Sequence, residues 1–181
     1  MLIFLCLLIL GGCSAPTVGQ PESRVIAVDR ELLWRSCREV IRNYGFESYL
    51  AQSDKGLILT NPQTSAQWFE FWRKDTPTEY ALAESSLHAI RRHIQLEISS
   101  NAVSEQNITC AVAVERLYRM EDDRALRYAT NIFSQGLSSG IPRRQLNQDD
   151  VQWVPLGFDA DLQKQILDDI DCLCHRSNTA L

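Results

Sequence analysis

Apolar residues at Leu33, Cys37, Val40, Ile41 and Tyr44 recur at three- and four-residue steps, and Arg30, Glu31, Arg35, Arg38, Glu39 and Arg42 lie opposite them. That period predicts a helix with one face for a core and one for water. Asp29 suits its N-cap, and Gly45 can take the left-handed position after its last turn. Beyond Gly45 the period shortens. Phe46–Ala51 and Gly56–Thr60 read as two short strands around the turn Gln52-Ser53-Asp54-Lys55-Gly56, and Asn61-Pro62 ends the second, because proline restricts its predecessor and cannot donate to a ladder.

The most aromatic stretch of the chain is Trp68-Phe69-Glu70-Phe71-Trp72-Arg73. As a strand it would carry Trp68, Glu70 and Trp72 on one side and Phe69, Phe71 and Arg73 on the other, apolar on both. Two readings stay open: a central strand covered on both faces, or an exposed docking surface, since aromatics and Arg are enriched at interface hot spots. Asp75–Ser86 is polar, contains Pro77 and reads as a loop.

From Leu87 to Ser99 strict alternation returns, with Ile90, Ile94, Leu96 and Ile98 sharing a face and Arg91, His93, Gln95 and Glu97 the other. Arg92 breaks the apolar face. An unpaired guanidinium there would be strongly destabilising, so it requires a carboxylate, and Glu70 is the first candidate and Glu84 the second. Asn107–Arg119, with Ile108, Cys110, Val112 and Val114 in phase, predicts an antiparallel partner strand across Ser99–Gln106. Met120–Gln152 has no clear period. Its glycine- and proline-broken part, Gln135–Asn147, contains the pair Arg143-Arg144 and is a candidate contact loop.

Asp159 is placed to cap a last helix, in which Leu162, Ile166, Ile170 and Leu173 repeat at helical steps. The fold expected from these elements is α+β: a two-layer sandwich in which the N- and C-terminal amphipathic helices pack on one face of an antiparallel sheet.

A net charge of −5 argues against nucleic acid or acidic phospholipid as principal partner, and Arg91-Arg92 and Arg143-Arg144 are too short to form a nucleic-acid arm. Cys37, Cys110, Cys172 and Cys174 permit two disulfides in three pairings, while Cys37 and Cys110 also fit buried free thiols. No cofactor is implied. No metal is expected at Cys172, Cys174 and His175, because residues two apart on a helix point in different directions. Ser85, Ser86 and His88 are near in sequence without forming a recognisable catalytic pattern. Gly-x-Ser-x-Gly, His-Glu-x-x-His and phosphate-binding glycine loops are all absent from the sequence.

The chain begins with nine apolar residues, Leu2–Leu10, then Gly11-Gly12-Cys13, and no Lys or Arg follows Met1. Nine residues of helix rise only ~14 Å against a hydrocarbon core of ~30 Å, too short to span. An ordinary secretory signal, cleaved at Gly12-Cys13-Ser14 or Ser14-Ala15, is one reading. The other is that Leu10-Gly11-Gly12-Cys13 resembles the lipobox of bacterial lipoproteins. That resemblance implies acylation of Cys13 and cleavage before it. Residues 1–12 would then be a signal peptide, 13–24 a lipidated tether rich in Pro, Gly and small polar residues, and 25–181 a single α+β domain.

The helix ending Tyr44-Gly45-Phe46, the hairpin ending Asp54-Lys55-Gly56-Leu57-Ile58-Leu59-Thr60 and the blocks Gln67–Arg73 and Glu84–Arg92, which together cover most of Val25–Arg92, also look like those of uncharacterised bacterial lipoproteins. The helix, hairpin and strand order resembles that of the small α+β domains of accessory lipoproteins in outer-membrane assembly machinery. The resemblance carries no catalytic residue. It implies anchorage on the extracytoplasmic side of a membrane. With no recognisable catalytic set, the function expected of the domain is noncatalytic, meeting an envelope protein, a glycolipid or a cell-wall polymer through Trp68, Phe69, Phe71 and Trp72 and the loop containing Arg143 and Arg144. The alternative class is a secreted or anchored hydrolase with polar groups gathered from distant segments.

Overall fold

Two strands longer than any of their neighbours organise the molecule. The computed structural model describes residues 18–102, 105–119 and 151–179. Along these the order is β1 (Val18–Gly19), β2 (Glu22–Ile26), α1 (Arg30–Asn43), β3 (Ser48–Gln52), β4 (Leu57–Thr60), β5 (Gln63–Thr64), α2 (Glu79–Leu87), β6 (Ile90–Ala102), β7 (Glu105–Arg119), β8 (Val151–Asp159) and α3 (Ala160–Thr179). The eight strands form one antiparallel sheet whose main path is β1-β8-β7-β6-β4-β3. The protein is therefore a mixed α+β fold.

At 13 and 15 residues, β6 and β7 outrun any single partner. The outer edge of β7 is shared end to end by β2, from Glu22↔Cys110 to Ile26↔Gln106, and by β8, from Ala113↔Phe158 to Arg119↔Val151. The outer edge of β6 is shared by β4 at Leu57↔Glu97 and β5 at Gln63↔Arg92. Pro155 is accommodated on β8 because the register shifts there, between Val114 and Glu115 of β7, leaving one extra residue on the β8 side.

Alternation along the central hairpin buries Ile94, Leu96 and Ile98 of β6 with Ile108, Cys110 and Val112 of β7. These pack in one cluster with Leu33, Cys37, Val40 and Ile41 of α1 and Leu162, Ile166, Leu167, Ile170 and Cys174 of α3. Each such Ile, Leu or Val contributes roughly 1.5–3 kcal/mol through removal from water. The two helices also touch each other. Helix α1 has the expected ends: Asp29 accepts from the Glu31 and Leu32 amides, and Gly45 adopts φ +82°. Two bonds close its last turn, Gly45 N to Arg42 O at 2.9 Å and Phe46 N to Ile41 O at 3.1 Å, the paired pattern that satisfies orphan carbonyls. Asp159 caps α3 as expected, accepting from the Leu162 amide at 3.0 Å.

Three expectations are corrected. The stretch before Arg24, expected as an unfolded tether, supplies β1 and part of β2. Composition misses them because main-chain pairing with β8 and β7 needs no apolar run. Trp68–Arg73 is a series of turns and not a strand. Within the expected loop Asp75–Ser86, Thr78 caps α2, its Oγ1 accepting from the Ala81 amide at 3.1 Å, and the next strand starts at Ile90 instead of Leu87. Helix α2 buries only Ala81 and Ser85, so it shows no apolar stripe in the sequence.

Candidate functional site

Strand β5 carries the chain along β6, and the Ser65 amide donates to Ile90 O at 2.9 Å before the chain leaves the sheet. The chain then enters a turn held from within by its own charged residues. Asp75, 1% exposed at its side chain, accepts from the Ala66 amide at 3.0 Å and from Arg73 Nε and Nη2 at 3.0 and 2.9 Å. Arg73 Nη2 also donates to Thr64 O at 2.6 Å, and Glu70 Oε2 accepts from the Gln67 amide at 2.9 Å and from Arg73 Nη1 at 3.5 Å. Two main-chain bonds, Glu70 N to Gln67 O and Arg73 N to Glu70 O, complete the turns.

Helix α2 braces this turn from the side. Ser86 Oγ accepts from the Trp68 amide at 2.9 Å and donates to Leu82 O, and Ser85 Oγ donates to Ala66 O. These hydroxyls are structural, and His88 stands beside them as the C-terminal cap of α2. Nothing in the sequence marked Ser85, Ser86 or Asp75 as supports, because the Trp68–Arg73 segment they hold has no strand or helix period.

With the charges drawn inward, the aromatic rings face out. Trp68 is 74% exposed, Phe69 50%, Phe71 88% and Trp72 64%, and Leu87 at the end of α2 is 79% exposed. Trp68 meets Phe69 edge to face at 5.8 Å between centroids, and Phe71 meets Trp72 in the same way at 5.2 Å, a favoured aromatic geometry. The aromatic stretch is thus not a strand covered on both faces; its rings are exposed on a series of turns.

Arg92 is buried at 3% exposure, as its position on the apolar face demanded, but its partner is not Glu70. Arg92 Nε donates to Asp159 Oδ2 at 3.0 Å, and Nη1 donates to Ser65 Oγ. Glu70 pairs with Arg73 instead. The expected pair assumed a strand at Trp68–Arg73 lying beside β6. On the opposite face of β6, Arg91 pairs with Glu115 across the strands and stacks over the Trp153 ring at 4.0 Å.

The four cysteines of the described residues are free. Cys37, Cys110 and Cys174 lie in the core and Cys172 is exposed. Burial pushes the Cys110 thiol up to about 12, with the Glu22 charge adding to it. Burial also raises Cys37, helped by Cys174 and Cys110 close by, and raises Cys174 against a hydrogen bond with Ser36. Burial raises the Tyr44 hydroxyl, which donates to Asp169 Oδ2 at 2.8 Å.

Among the open grooves of the described surface, one of about 460 Å³ lies between α1 and β3–β4 and is lined by Arg35, Arg38, Arg42 and Phe46; another, about 240 Å³, is lined by Tyr44, Lys74, Asp169 and Cys172. Neither lining includes a histidine beside its serine or cysteine. Among the described residues no three metal-ligating side chains gather, and no helix is long and apolar enough to cross a membrane. Cys13, Arg143 and Arg144 lie outside the described residues. No family model matches the chain, and no curated protein matches it.

Proposed function

We propose that this chain is a membrane-anchored, noncatalytic lipoprotein, acylated at Cys13, whose domain serves as an interaction or assembly module in a cell envelope. Helices α1 and α3 would form one layer against the sheet in a two-layer sandwich, leaving the aromatic turn at Trp68–Trp72 as the contact surface. The carrying observation is that turn: four aromatic side chains at least half exposed within five residues, on a frame of half-buried ion pairs that Arg73 makes with Glu70 and the buried Asp75. Exposed apolar patches of this kind mark sites of contact. The partner class is an envelope protein or glycolipid, with Arg143 and Arg144 proposed as further contacts.

The test combines fractionation with site-directed crosslinking in the cell. Cys13→Ser should move the protein from the membrane to the soluble fraction, and a photoreactive residue at Phe71 should give a discrete adduct, absent when the probe replaces exposed Gln95. A Cys13→Ser chain that stays in the membrane, or Phe71 and Gln95 probes that behave alike, overturns the reading.

A further inference from the structure

The turn is unusual in what it keeps away from solvent as much as in what it shows. Between Trp68 and Trp72 the one charged side chain is Glu70, 22% exposed and held by Arg73, itself 17% exposed. The amides of Ala66, Gln67, Trp68, Glu70 and Arg73 donate within the protein, and those of Phe69, Phe71 and Trp72 make no such bond among the described residues. In the interfacial zone water and headgroups still meet such amides, so the requirement on the turn is that it carry no uncompensated charge. A protein hot spot, by contrast, rims its aromatic anchors with polar side chains free to bond the partner, and here the charged side chains of the turn, Glu70, Arg73 and Asp75, bond one another. Just past the tip, Lys74 is exposed, where an ammonium on a flexible stem can reach headgroup phosphates while the rings sit deeper. Tryptophan favours that boundary, its ring apolar and its N–H able to bond to water and headgroups.

The anchor supplies the second argument. From Cys13 to Val18 is five residue steps, which fully extended cover about 17 Å. Val18 pairs with Asp159, Asp159 holds Arg92, and Arg92 also holds Ser65, three residues before Trp68. The strand by which the tether enters the fold is thus tied through a buried ion pair to the base of the aromatic turn, and for a chain anchored at Cys13 the bilayer is an apolar phase held next to the domain. We infer that the turn bearing Trp68, Phe69, Phe71 and Trp72 inserts into the interfacial zone of the lipid bilayer, as a second membrane contact of the anchored chain. This rests on the proposed anchorage at Cys13 and names lipid as the partner of the aromatic surface.

The acylated full chain, with Trp34→Phe and Trp153→Phe so that Trp68 and Trp72 alone report, is reconstituted in phosphatidylcholine–phosphatidylethanolamine vesicles with or without shallowly brominated acyl chains. Insertion gives a blue-shifted emission that the brominated lipid quenches, and Phe69→Ser with Phe71→Ser reduces that quenching while the protein still floats with the vesicles. A chain that floats with solvent-like, unquenched emission overturns insertion and leaves anchorage standing. A chain that does not float removes the anchor, and the inference with it. In the otherwise native chain, a photoreactive residue at Phe71 should yield a lipid adduct, and a protein adduct in its place overturns the inference in favour of protein docking.

Discussion

Asp159 carries two duties with its two oxygens: Oδ1 caps α3 and Oδ2 holds the buried guanidinium of Arg92. Removing one partner of a buried pair leaves the other charge uncompensated, at a cost of about 3–5 kcal/mol. Arg92→Met should therefore lower the free energy of unfolding in urea by about 3 kcal/mol. Asp159→Asn, which keeps an oxygen for the cap, should lose less than Asp159→Ala, which loses cap and pair together. Equal losses in the two Asp159 variants would show that the cap contributes nothing. The sequence made Arg92 conspicuous, because one charge stood in an apolar alternation, and it required a carboxylate there. It could not supply the right one: Asp159 is 67 positions away, and only the passage of β8 beside β7 brings it near.

At the level of elements, what was legible depended on period. Helices α1 and α3 and strands β4, β6 and β7 each carry a stripe or alternation set by burial of one face, and they form close to where that pattern places them; β3 forms near its expected place with no residue buried. Strand β2, which alternates in burial without an apolar alternation in its sequence, and helix α2 show no such pattern. The first is fixed by main-chain pairing with β7, and the second buries only two small residues against the aromatic turn. The hairpin turn shows why particular residues still matter inside readable elements. Gly56 has φ +67°, and a β-carbon there would stand 2.3 Å from Ile98 O. Gly56→Ala should then strain the backbone and displace β4 from β6 as well, since Gly56 O accepts the Ile98 amide at 2.8 Å. The expected loss is about 1–3 kcal/mol, read as a lower thermal midpoint. An unchanged midpoint would mean that the turn relaxes freely.

Across the whole molecule, α1, β7 and α3 meet around Cys37, Cys110 and Cys174, so the pH response of these thiols belongs to global unfolding. In the unfolded chain Cys110 loses its proton near its ordinary 9.0, whereas in the fold it keeps it to about 12. Between those values the unfolded state binds fewer protons, so stability is full below pH 9 and falls as pH rises toward 12. Urea midpoints measured across that range should decline, and Cys110→Ala should flatten the decline; a slope unchanged in that variant would assign it elsewhere. In the native protein below pH 9, a thiol reagent should reach Cys172 before the three core cysteines.

Strand β1 pairs with residues 158 and 159 of β8, so the first strand of the fold waits for almost the last. During synthesis, or export from the N-terminus onward, Val18 and Gly19 have no ladder to join until the chain has emerged past Asp159. Closure of the sheet is consequently a late step, governed by a contact across most of the sequence and slow in the way that distant pairings are.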